Sequence, residues 1–173
     1  MPAHATAVPL HSAISVTVRE ARPEDAEAML RMVQALAEYQ GIRTRVTAKA
    51  EDYRRDGFGP DRKFEAVIAE RNGLPVGLAL FQTFYKSWEG SAALQITDLV
   101  VDEAVRGTGV GFNLVREIGR IAEGRGCTSL QLNVVHANPS RASFDRIGFV
   151  HQDDLLHYRL DAQGLRKLLE MER

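Results

Sequence analysis

The chain has 173 residues, 45% of them hydrophobic, with a formal net charge of −1 and a pI near 6.5. That length supports one domain with a core of its own and is short for two, while the near-neutral balance offers no basic field to nucleic acid. No stretch approaches the ~20 consecutive apolar residues of a membrane span, so the expected partners are small molecules or proteins, not nucleic acid or membrane.

Residues 1–13 lack the cationic start and long apolar run of a signal peptide, which predicts a cytoplasmic protein with a flexible lead-in before a single domain over 14–173. Ile14 to Arg19 alternates apolar Ile14, Val16 and Val18 with polar neighbours, the period of a half-buried strand. Pro23, Glu24 and Asp25 suit a helix start, and Met29, Val33, Leu36 and Ala37 form a stripe that ends near Gly41. A second short helix is predicted over Ala48 to Arg55, with Thr47 as its cap and Gly57 and Gly59 beyond it. Phe64 to Glu70 reads as a strand, and Asn72-Gly73 suits a tight hairpin into a further strand, Val76 to Phe84.

The third strand of this meander leads into the most informative stretch. Leu94, Ile96 and Leu99-Val100-Val101 have strand character, whereas Val115, Ile118 and Ala122 share a helical stripe. Between them lies Arg106-Gly107-Thr108-Gly109-Val110-Gly111. Glycines here let the backbone turn through unusual dihedrals and approach a ligand, while the first N–H groups of the following helix lack intrahelical partners. Amides, helix dipole and Arg106 together favour a phosphate. The loop has no lysine, so it is not a P-loop, and Phe112 stands where a dinucleotide fold needs its third glycine.

Further on, Ser129 to Val135 reads as a strand, preceded by Cys127, a lone cysteine expected to serve as a small buried hydrophobe. Pro139 to Ile147 reads as a short helix capped by Asn138; Phe149-Val150 and Leu155 to Leu160 read as two closing strands, and Ala162 to Met171 as a last helix. The predicted class is α+β, or α/β with mixed strand direction.

Arg-x-x-Gly-x-Gly between a strand and a helix resembles the acetyl-CoA pyrophosphate loop of the GNAT N-acetyltransferase superfamily. The element order over residues 14 to about 160 is similar to that fold, a mostly antiparallel central sheet flanked by helices. Asp56-Gly57-Phe58-Gly59, Phe84-Tyr85 with Trp88 and Gly90, and Thr97-Asp98 before Leu99-Val100-Val101 are similar to the spermidine/spermine (diamine) acetyltransferase branch. The resemblance implies that the backbone of Leu99, Val100 and Val101 holds the pantetheine arm. Amides of Arg106, Gly107, Thr108, Gly109, Val110, Gly111 and Phe112 would hold the pyrophosphate, and Asn138 and Phe144 would complete the cofactor site. It further implies transfer from acetyl-CoA to a primary amine by direct attack in a ternary complex, without a metal, in a homodimer.

The family's acid and base do not carry over. Where the diamine enzymes have a glutamate before the aspartate, this chain has Thr97, and where they have a tyrosine that protonates the thiolate it has Phe144, which has no proton to give. Asp98 and His136 stand as the candidate bases, each with a plain structural alternative. Tyr85 and Trp88 are expected to wall the acceptor, beside Thr97, with Arg43, Arg45 and Lys86 as cations where the diamine enzymes place acids. That pattern favours an amine carrying its own carboxylate or phosphate. The alternative is an acyl-CoA-binding sensor or partner protein with little turnover.

Overall fold

The computed structural model describes residues 15–171; the lead-in and Ile14 lie outside them. Two compact units divide after Asn133. The first carries a five-stranded sheet in the order β1 (Val16–Glu20), β2 (Glu65–Arg71), β3 (Leu74–Lys86), β4 (Ser91–Val101) and β5 (Leu130–Leu132). Its ladders are antiparallel except β4–β5, which is parallel. Helices α1 (Ala26–Tyr39) and α2 (Ala50–Gly57) cover one face and α3 (Val110–Gly124) the other.

Strand alternation sets the two faces. Ile68, Leu78, Leu80 and Val100 meet Met29 of α1 and Tyr53 of α2. Gly77, one residue off that phase, faces α3: a Cβ there would lie 3.0 Å from both Leu114 Cδ1 and Val110 Cγ1. A side chain at position 77 would make Leu114 and Val110 give way by a few tenths of an ångström, and the glycine lets the first turn of α3 sit close against the sheet. At the other end of α3, Arg125 ties the helix to β2 through two 2.6 Å bonds to the Glu65 carboxylate.

The β2–β3 hairpin turns as its sequence predicts, with φ of 54° at Asn72 and 74° at Gly73. Two helix starts differ from expectation in detail. Pro23–Asp25 forms a 3₁₀ turn ahead of α1, and α2 opens at Ala50 because Asp52 Oδ2 reaches back to accept from Lys49 N at 2.9 Å, leaving Thr47 outside the cap.

A partly buried ion network holds the entry to α1. Asp25 accepts from Arg19 Nη1 at 2.7 Å and Nη2 at 2.9 Å and from Arg22 N at 2.7 Å, and Arg19 also reaches Glu70 at 2.5 Å. The Arg19 guanidinium holds the Asp25 carboxyl below its ordinary 3.8. Its stabilisation is thus present above pH 3.8 and is lost as pH falls through the lowered value. Asp25→Asn is expected to cost about 2 kcal/mol in urea unfolding at neutral pH, because it removes the charge that meets two Arg19 bonds and the Arg22 amide while leaving Arg19 its Glu70 partner, and the difference from wild type should shrink under acid.

The second unit, from Val134, holds α4 (Arg141–Arg146) and α5 (Ala162–Glu170). Asp161 Oδ1 caps α5 by accepting from Gly164 N at 2.8 Å. The two closing strands expected over 149–150 and 155–160 do not form among the described residues. A strand exists through its ladder, and adjacent Leu155 and Leu156 would point to opposite faces of an extended chain, so neither face is consistently apolar; both are exposed, at 70% and 77%. For the same want of a partner beyond Leu132, β5 stops short of Val135.

Candidate functional site

The site begins with a defect in the ladder. Leu80 pairs with Asp98 and Phe81 with Ile96, so Thr97 is an unmatched bulge residue; its Oγ1 reaches Leu80 O at 3.4 Å. On its other side β4 pairs with β5 only from Leu94 to Ile96. Beyond the bulge, Leu99, Val100 and Val101 run on with no ladder partner on the β5 side among the described residues, which presents a stretch of strand edge for another extended chain to hydrogen-bond.

β4 then enters a rigid turn. Asp102 Oδ1 accepts from Ala104 N at 3.0 Å, Val105 is buried, and Thr108 Oγ1 donates to Val105 O at 2.7 Å. Gly107 and Gly109 follow with φ of 77° and 89°, the left-handed region that L side chains rarely adopt, and a Cβ on either would meet nothing within 4 Å. Gly111 differs from expectation: it lies within α3 without a positive φ, and a Cβ there would touch Val101 Cγ2 at an ordinary 3.6 Å. Gly109 caps α3 without a side chain, and Asn113 N is the first to bond back, to Gly109 O at 3.0 Å. The N–H groups of Val110, Gly111 and Phe112 are thereby left for an anion at the positive end of the helix.

Arg106 does not turn into this cradle. Its Nε donates to Val101 O at 3.1 Å, and its guanidinium carbon lies 5.1 Å from the Tyr39 ring centroid. The arginine thus clamps the strand end to the end of α1, beside a groove of ≈ 560 Å³ lined in part by Arg31, Tyr39, Val101 and Arg106. Sequence reading missed Tyr39, because nothing local signals a contact across so many residues.

Asp98 is partly buried beside the bulge, and burial raises its carboxyl above the ordinary 3.8, against a hydrogen bond with Thr97 that lowers it. A partly buried carboxylate so perturbed, at a break in the ladder, is a candidate base.

Lys86 sits at the hairpin tip, its side chain only 15% exposed and paired with Glu89, and it registers with Ser91 at the start of β4. Exposed Arg43 and Arg45 follow α1, whose last residue, Tyr39, touches Arg106 past the end of β4. Tyr85 and Trp88 are exposed at the tip, 68% and fully, and Tyr85 pairs with Ala92, roughly 17 Å along β4 from Thr97.

His136, Asn138 and Phe144 belong to the second unit. Arg141 Nη1 donates to His136 O at 3.1 Å and approaches its Nδ1 at 3.5 Å. Asn138 Oδ1 accepts from Ser140 N at 2.8 Å, serving the start of α4, and the Phe144 ring meets Phe149 edge-on at 6.0 Å.

Residues 31–149 match the acetyltransferase (GNAT) family. The chain belongs to that family. It is 28% identical over 168 residues to a thialysine N-epsilon-acetyltransferase of Mus musculus, covering 89% of this chain and 97% of that one. Its counterpart from Sus scrofa is 32% identical over 132 residues, covering 72% and 77%. A human spermidine/spermine N(1)-acetyltransferase-like protein is 30% identical over 134 residues, 73% of this chain but 19% of that longer one. Among solved structures, an integron cassette protein from V. cholerae superposes with a TM-score of 0.76 at 21% identity, over 91% and 99% of the two chains, which shows the shared fold. The α+β sheet with flanking helices is the GNAT fold, and the chain is an acetyltransferase of that family.

Proposed function

We propose that this acetyltransferase uses acetyl-CoA to acetylate the primary amine of a small amino-acid-like molecule, by direct attack in a ternary complex. The observation that carries the reading is β4: it parts from β5 at the Thr97 bulge and leads, through the turn at 102–106, to the glycines at the start of α3. On this reading the Leu99–Val101 edge takes the amide-bearing pantetheine arm as a strand would, and amides of residues 107–112 take the pyrophosphate. The thioester then comes to rest at the bulge, beside Asp98. Bound acetyl-CoA supplies the activated acetyl group; what the protein adds is orientation and a place for the amine proton, with Asp98 as the base. His136, Asn138 and Phe144 are assigned no step in this account.

The family match runs across the boundary between the two units, which supports reading residues 14–173 as one domain. Homodimer assembly and a cytoplasmic location complete the proposal, with sedimentation and cell fractionation as their tests.

For the acceptor, the names of the relatives point two ways, to thialysine and to spermidine or spermine. Thialysine is an amino acid, with a side-chain amine at one end and a carboxylate at the other. The sequence Gln40-Gly41-Ile42-Arg43-Thr44-Arg45 carries cations and no acid, which disfavours a polycation and suits a carboxylate. Since Lys86 is already paired with Glu89 at the far end of β4, Arg43 and Arg45 are the better anion partners. In competition at equal concentration, thialysine or lysine is expected to be acetylated faster than spermidine. Faster acetylation of spermidine would refute the charge argument.

A further inference from the structure

The groove of ≈ 560 Å³ beside the end of β4 has no part in acetyl transfer, yet one of its walls is a continuous face of α1. Arg31, Met32, Ala35, Glu38 and Tyr39 recur there at the three- and four-residue spacing of neighbours on one side of a helix. Met32 is half-buried and the other four are exposed. Arg31 and Glu38 stand two turns apart, about 10.5 Å along the axis, too far to pair with each other. Among the described residues neither has an ion-pair partner, and Glu27, one turn before Arg31, is taken by Arg54. Ala35, the smallest residue of the five, lies midway between the two charges.

We propose that this groove is where two copies of the chain associate, α1 lying antiparallel to α1 of the second copy about a two-fold axis beside Ala35, with Arg31 of each copy paired to Glu38 of the other. The inference rests on the reading of the chain as a homodimer and gives that assembly its surface.

A two-fold axis makes every contact reciprocal, so a face fits itself only if opposite charges stand at equal distances on either side of the axis. Arg31 and Glu38 meet that condition about Ala35, whose short side chain lets the two helices approach closely where they cross. Met32 and Tyr39 add apolar surface to the contact. The opposite wall carries Asp102, Glu103 and Arg106, so the groove as a whole holds both signs and suits a surface of mixed charge over a simple anion or cation. Arg106 is held by Val101 O and the Tyr39 ring, and Asp102 by Ala104 N, which leaves Arg31, Glu38 and Glu103 to face a partner.

Arg31→Glu and Glu38→Arg each set like charges against each other at both contacts, and each is expected to weaken the dimer about tenfold or more in sedimentation equilibrium. Circular dichroism of both should match wild type, because the substituted side chains are exposed. The deciding arm is an equimolar mixture of the two single variants. In the mixed dimer each contact again joins opposite charges, so association should return to within about threefold of wild type, as it should in the doubly reversed chain. Single variants that dimerise as tightly as wild type overturn the inference and leave the homodimer to another surface. Weakened variants that fail to associate when mixed also overturn it, because their loss is then not one of charge across α1. A wild-type chain that stays monomeric at all concentrations overturns both this inference and homodimer assembly.

Discussion

Asp98→Asn is expected to lower turnover about a hundredfold or more, with acetyl-CoA affinity unchanged and the melting temperature unchanged or higher. The loss follows from removing the group that takes the amine proton; one general base is typically worth about 10²–10⁴ in rate. The stability result follows from burial. Because burial raises the Asp98 carboxyl, the folded state binds its proton more tightly than the unfolded chain does, so stability falls as pH rises through the raised value. At neutral pH the ionised carboxylate is therefore a cost to the fold that a neutral amide does not impose. A residue that helps turnover and harms stability is kept for chemistry, so the pair of measurements separates a base from a structural hydrogen-bond partner. In the wild type, turnover should fall on acidification through a midpoint above that of an ordinary aspartate. Turnover of Asp98→Asn within about threefold of wild type would remove Asp98 from the mechanism.

Gly109→Val is expected to weaken acetyl-CoA binding more than tenfold in titration calorimetry. With φ of 89° at this position, a valine must either adopt a conformation costing about 1–3 kcal/mol or turn the cap residue of α3 away. Either result disturbs the amides that begin the helix, and the added side chain would stand in the open space before them. Gly111→Ala is the control. Its Cβ finds an ordinary contact with Val101 and no left-handed backbone, so its affinity should stay close to wild type. Equal affinity of a folded Gly109→Val protein and the wild type would place the phosphates elsewhere.

What the sequence could disclose was set by how local each signal is. Asn72-Gly73 announces its hairpin, and the glycines of 107–111 announce a cradle ahead of α3, because residues a few positions apart decide those conformations. The Thr97 bulge was hidden, since a register shift belongs to two strands and only the pairing of Leu80 with Asp98 and Phe81 with Ile96 reveals it. The Tyr39–Arg106 clamp was hidden likewise, being a product of which helix end lies beside which strand end. The pairing of Lys86 with Glu89 was hidden in the same way, since a turn brings the two side chains together. Leu155 to Leu160 has strand composition without a ladder, and composition cannot supply a partner.

The measurement closest to the central claim is release of CoA thiol from acetyl-CoA by the purified chain with a panel of amines, followed by mass spectrometry of the acceptor. The account predicts thiol release that depends on both substrates, an equal amount of acetylated amine with thialysine or lysine, and little of either with Asp98→Asn. Tight acetyl-CoA binding with no amine-dependent release across the panel would contradict it and make the chain an acyl-CoA sensor on an acetyltransferase fold.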